Sequence, residues 1–196
     1  MDIDKRIKKI IDSFDQRGNW DDDSRFLDIR LLSNDLTGDI GEILLRDIFT
    51  EHGYKVIFER GKTSDDKDWD IVIDDKTIEV KTATMGNKQN TFQHEKFFRN
   101  RNYDLVWFID FAPDDMYMLI AQRLDIMWNN LHPRKVNGIL TNEYKLDISL
   151  AQYKKLIGGD MNALKKLRNI SVGCVKTEQD VIDMFEGFCR NIQHQQ

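Results

Sequence analysis

The stretch that decides the fold is Trp69-Asp70-Ile71-Val72-Ile73-Asp74-Asp75-Lys76-Thr77-Ile78-Glu79-Val80-Lys81-Thr82. Two short β-branched runs flank a polar pair. This pattern reads as a hairpin, with strands at 69–74 and 77–83 and a tight turn at Asp75-Lys76. Side chains alternate along a strand, so Glu79 and Lys81 point the same way, roughly 6–7 Å apart, while Ile78 and Val80 point toward apolar packing. With that turn, Asp74 faces Thr77, Val72 faces Glu79 and Asp70 faces Lys81, and paired residues share a face. Asp70, Glu79 and Lys81 then meet on one side of the sheet. A register slip of one residue would send Asp70 to the other side, and the turn lacks the glycine that hairpins favour.

Working outward, residues 37–52 place Ile40, Ile43, Leu44, Leu45, Ile48 and Phe49 on a helical stripe, with Thr37 as the expected N-cap and Gly53 as the terminator. At 100° per residue Glu42 falls at the edge of that stripe, beside Phe49. A short strand is expected at 54–58, then a polar loop at 59–68. Beyond the hairpin, residues 91–102 read as a helix containing Phe97 and Phe98. Residues 104–110 form a buried strand, and 116–121 another after a turn at Pro113. A short helix is expected at 122–130, a hairpin at 135–148, and helices at 149–157 and 177–192, the last with a capping arrangement between Thr177 and Asp180. An amphipathic helix at 3–16 opens the chain. This order is mixed α/β around a central sheet.

The chain has 196 residues, enough to bury its own core, and a formal net charge of −5. No apolar run approaches the roughly 18 residues a membrane span needs, and the N-terminus lacks the order of a signal peptide. The two cysteines, Cys174 and Cys189, read as buried free thiols, so a reducing cytoplasm is the expected compartment. Charge is spread unevenly. Residues 1–80 carry 13 basic and 21 acidic side chains, whereas 131–170 carry 8 basic and 3 acidic. His52, His94, His132 and His194 show no zinc spacing, and no phosphate-binding glycine loop is present, so nucleoside triphosphate use has no support.

Two carboxylates and a lysine on one surface have a physical use. Hard oxygen ligands bind magnesium, which can polarise a phosphoryl oxygen and acidify a bound water. A lysine beside them can orient that water and offset growing negative charge. Such a site hydrolyses a phosphodiester. Asp68, Asp74 and Asp75 also compete as carboxylates, and they read as loop or turn residues.

The ordered set resembles the PD-(D/E)XK nuclease superfamily. It comprises the Gly38-Asp39-Ile40-Gly41-Glu42 helix, the Gly53-Tyr54-Lys55-Val56-Ile57 strand, Asp70, and Glu79-Val80-Lys81. The resemblance covers about residues 37–110. Trp69 stands where that family often has proline. The resemblance implies a restriction-endonuclease-like core with added C-terminal helices and strands. It implies Asp70, Glu79 and the Val80 backbone carbonyl as ligands of magnesium, with manganese able to substitute. It implies Lys81 acting on the water, and Glu42 supporting the metal directly or through water.

It also implies one nuclease domain over 1–196, with a helical extension at 1–36 and a catalytic core at 37–110. The sheet would be completed, and DNA-recognition and dimer elements supplied, by 111–196. Those 86 following residues exceed what a minimal junction-resolving enzyme needs, which favours a sequence-specific type II restriction enzyme acting as a homodimer on double-stranded DNA. A Holliday-junction or other structure-specific nuclease is the alternative. A non-catalytic DNA-binding module of the same fold is a second alternative, and an acidic protein-interaction domain with an accidental motif a third. For gripping the polyanion, the segment after the motif offers Lys88, Gln89, Asn90, His94, Lys96, Arg99 and Arg101, while Lys154, Lys155, Lys165, Lys166 and Arg168 form a second basic stretch.

Overall fold

The hairpin at the centre of the sequence reading is present, with its turn one residue earlier than expected. In the computed structural model, which describes residues 20–58, 68–86 and 90–193, β2 (Ile71–Ile73) pairs antiparallel with β3 (Lys76–Thr84), Ile73 opposite Lys76. Asp74 and Asp75 therefore make the turn. Asp74 takes the left-handed backbone that short hairpin loops require and that Asp tolerates better than most residues (φ 55°). It also ties the turn to β1 (Val56–Phe58): its N–H donates to the Lys55 carbonyl at 2.7 Å, and its Oδ1 accepts from the Lys55 N–H at 3.1 Å.

The central sheet has six strands in the order β1-β2-β3-β5-β6-β9, with β5 spanning Leu105–Phe111, β6 Met116–Gln122 and β9 Ser171–Val175. Among the described residues only the β3–β5 pair is parallel, which makes the sheet mixed. Every residue of β5 is buried, Asp110 included, as its otherwise apolar run requires of a strand covered on both faces. The strand β9 escaped the sequence reading. It is short and interrupted by Gly173, and only its pairing with β6 defines it.

Residues 91–102 are not a helix. Thr91–Phe98 is strand β4, part of a second, antiparallel sheet in the order β4-β8-β7, with β7 at His132–Val136 and β8 at Ile139–Ser149. Its inward residues are Phe92, His94 and Phe97, a sequence that breaks simple alternation. A bulge between His94 and Phe97, with Lys96 at φ 59°, inserts one residue and returns Phe97 to the core. That extra residue disguised the strand as helical spacing. The expected hairpin at 135–148 is the β7–β8 pair, closed by Asn137-Gly138 with both residues at positive φ. The helix expected at 122–130 is instead two single 3₁₀ turns, Arg123–Asp125 and Trp128–Asn130.

Helix α1 is a single turn, Leu27–Arg30, and α2 spans Asn34–Glu51. The latter starts three residues before the expected point because Ser33, in extended backbone, accepts the Leu36 N–H and serves as the cap. Gly53 ends it at φ 85° as expected. Helices α3 (Leu150–Ile157) and α4 (Glu178–Gln193) match their expected positions. Ser149 and Gln152 form a capping box on α3, and Thr177 and Asp180 cap one another at the start of α4. The expected helix at 3–16 lies outside the described residues. Among those described, no helix is long and apolar enough to cross a membrane.

The core lies on both faces of the central sheet. On one face Trp107 of β5 stacks on Phe185 of α4 and meets the edge of Phe49 of α2. On the other, Phe108 packs against His94 and Phe97 of the second sheet. Since Val80 pairs with Trp107 and Lys81 with Phe108, Val80 faces the helices, and Glu79 and Lys81 lie beneath the second sheet.

Candidate active site

The shifted turn changes Asp70's partner but not its face. The Asp70 N–H donates to the Ile78 carbonyl at 3.0 Å, so the ladder continues one residue past β2 and sets Asp70 opposite Glu79 rather than Lys81. The difference is two positions, which preserves alternation. Asp70, Glu79 and Lys81 therefore share a face as the sequence reading required, in a register it did not anticipate. Asp70 Oδ2 accepts the Val80 N–H at 2.7 Å, fixing the carboxylate against the strand that carries the other two residues.

Glu79 is 1% exposed, and two cations serve it. Lys81 Nζ donates to Oε1 at 2.5 Å, and Arg101 Nη1 stands 3.3 and 3.5 Å from the two carboxylate oxygens. Aromatic rings of β4 roof both: Lys81 lies 5.5 Å from the Phe97 centroid and Arg101 4.6 Å from that of Phe98. Glu42 arrives from the helix on the opposite face. Helix α2 comes so near β3 that a Cβ on Gly41 would lie 1.9 Å from Thr82 Oγ1. At that contact the next residue, Glu42, is half-buried, and the charges of Asp70, Lys81 and Glu79 act on it.

The electrostatics follow from this crowding. Burial first, then the charges of Asp70 and Asp39, push the Glu42 carboxyl up to about 8. Burial and then Glu79 push Asp70 up to about 6, against the opposing pull of Lys81, the Val80 N–H and Arg101. Burial alone would lower the Lys81 ammonium's pKa, but Glu79 and Asp70 outweigh it and the net shift is upward. Lys81 is therefore a firmly protonated donor. Tyr103, also buried, has its hydroxyl pushed up by burial and then by Glu79, and no hydrogen-bond partner is seen for it among the described residues.

Carboxylates are hard oxygen donors, so the chemistry of Asp70, Glu79 and Glu42 fits magnesium. As the side chains stand, no three His, Cys, Asp or Glu residues among those described are gathered closely enough to hold an ion. Glu79 instead spends its charge on Lys81 and Arg101.

Neither a family model nor a curated protein matches the chain. Among solved structures it is similar to a bacterial homing endonuclease, I-Ssp6803I. The TM-score is 0.32 and the identity 17%, over 44% of this chain and 68% of that one. A likeness at that level carries no argument for fold or activity.

The other sequence-derived candidates disperse. His94 is the clear correction. The sequence offers it as a surface residue within reach of a phosphate, but it is buried, with Nε2 3.1 Å from Asp110 Oδ1. Asn90 is exposed at the start of β4, its carbonyl accepting the Leu150 N–H. Lys96 is exposed at the bulge and Arg99 is exposed beyond β4, while Lys88 and Gln89 lie outside the described residues. Of the second basic stretch, Lys154, Lys155, Lys165 and Arg168 are exposed and Lys166 donates to the Asp147 carbonyl. Asp68 is exposed outside the strands, and Asp74 and Asp75 form the turn, as read. Sequence reasoning missed Arg123, whose Nε and Nη2 donate to the carbonyls of Arg101 and Arg99 at 2.6 and 2.9 Å. No local motif signals it, because it comes from the 3₁₀ turn just after β6.

Proposed function

We propose that the chain is a magnesium-dependent DNA endonuclease of the PD-(D/E)XK type. The observation that carries this reading is the meeting of Asp70, Glu79 and Lys81 on one face, with Asp70 bound to the Val80 N–H between the other two. Asp70, Glu79 and the Val80 carbonyl would hold the cation, with Glu42 supporting it directly or through water. The bound cation would polarise a phosphoryl oxygen and acidify a water. Lys81, kept protonated by its carboxylate neighbours, orients the attacking water and offsets charge on the phosphate. Within this class the reading favours a sequence-specific type II restriction enzyme, a homodimer with one site for each strand of duplex DNA.

The test is digestion of linear DNA of known sequence with and without magnesium, alongside Lys81→Ala and Asp70→Ala. Discrete magnesium-dependent fragments, lost in both variants, are expected. Smearing, or cleavage of four-way junctions alone, would replace the restriction reading with the structure-specific one. Tight DNA binding without cleavage of any substrate would leave a non-catalytic DNA-binding module.

A further inference from the structure

We propose that Arg101 is a further catalytic residue of this site, one that holds a non-bridging oxygen of the scissile phosphate and rests on Glu79 while DNA is absent. The inference rests on the nuclease reading above.

Three observations place it. First, the Arg101 backbone is pinned. Arg123 donates to the carbonyls of Arg99 and Arg101, and the Arg101 N–H donates to the Phe98 carbonyl at 3.3 Å. Second, the head group is aimed. The guanidinium lies over the Phe98 ring and reaches both oxygens of Glu79, with its side chain 13% exposed. Third, Glu79 does not depend on it. Lys81 holds the same Oε1 at 2.5 Å, against 3.3 Å for Arg101, so Glu79 keeps a cationic partner when the guanidinium moves away.

Charge then favours the phosphate. Hydrolysis of a phosphodiester adds negative charge to the non-bridging oxygens as water attacks, and a planar guanidinium matches two such oxygens better than an ammonium does. Arg101 neither gives up a proton nor forms a bond in the step. It exchanges one anionic partner, the Glu79 carboxylate, for another, the phosphate. In the DNA-free protein the same residue competes with any divalent cation for Glu79.

This double role predicts effects of opposite sign. Arg101→Ala and, to keep the side chain's bulk over Phe98, Arg101→Gln would be compared with the parent chain. Magnesium binding to the DNA-free protein would be followed by calorimetry, and DNA cleavage by single-turnover assay at saturating magnesium. Both variants are expected to cleave about 100-fold more slowly and to bind magnesium roughly tenfold more tightly. A structural role would lower both together, and that result would overturn the proposal. So would cleavage within twofold of the parent, which would leave the nuclease reading standing. If the parent chain cleaves no DNA under any condition, this proposal and the nuclease reading fall together.

Discussion

Glu79 and Asp110 are two buried carboxylates on the same face of the same sheet, one strand apart, and they have opposite fates. Asp110 is sealed. His94 Nε2 meets its Oδ1 at 3.1 Å, the Tyr153 hydroxyl donates to its Oδ2 at 2.7 Å, and neither Asp110 nor His94 has any side-chain exposure. Burial raises its pKa by more than His94 and Tyr153 lower it, so the net shift is upward. Glu79 is as deeply placed, but its partners Lys81 and Arg101 reach solvent, and two more carboxylates, Asp70 and Glu42, crowd the same space. Burial alone therefore does not distinguish the two centres. Accumulated like charge with an opening to water does.

The largest expected effect separates the two by activity. Glu79→Gln should reduce the magnesium-dependent cleavage of the folded fraction on the order of 10³-fold, and it leaves Lys81 and Arg101 without the buried carboxylate that pairs them. Retained cleavage would place the chemistry elsewhere. Asp110→Ala should do the reverse, costing about 3–5 kcal/mol in chemical denaturation by leaving His94 and Tyr153 buried without their partner. The fraction that stays folded should cleave normally, and a selective loss of rate would contradict a purely architectural role.

The third prediction concerns how Glu42 joins the first centre. Gly41→Ala should cost about 1–3 kcal/mol, since the new methyl must displace α2 or Thr82. Adding Thr82→Ala should recover most of that stability, and absence of recovery would mean that the close approach is not the constraint.

The fourth prediction concerns pH. A carboxyl whose folded pKa lies above its unfolded value binds more protons when folded, so its contribution to stability is complete below the unfolded pKa and fades as pH rises through the folded one. With Asp70 near 6 and Glu42 near 8, the melting temperature of the magnesium-free protein should decline from about pH 4 to about pH 8, and magnesium should offset the decline. A flat profile would mean that the carboxylates are not crowded as described.

The sequence made the first centre legible because alternation is forgiving. The turn was misplaced by one residue, yet the resulting change of two partner positions left Asp70 on the correct face. Glu42 was legible as a residue at the border of an apolar stripe. The second centre was not legible. It joins β4, β5 and α3, and no local pattern relates His94 to Tyr153 across 59 residues of sequence. Treating 91–102 as a helix concealed it further, because a strand read as a helix loses the face on which His94 lies. Arg101 was noticed for its charge, but only the fold puts it beside Glu79.

The bulge at Lys96 gives β4 two phases. Before it, even-numbered residues Phe92 and His94 face the core, and after it the odd-numbered Phe97 does. The Glu95-Lys96 pair is thus where a residue can be dropped while each flanking segment keeps its own inward set. A relative with a shorter β4 would have to be aligned with its gap there. A gap placed anywhere else in the strand would match lining residues with solvent-facing ones and hide a true kinship.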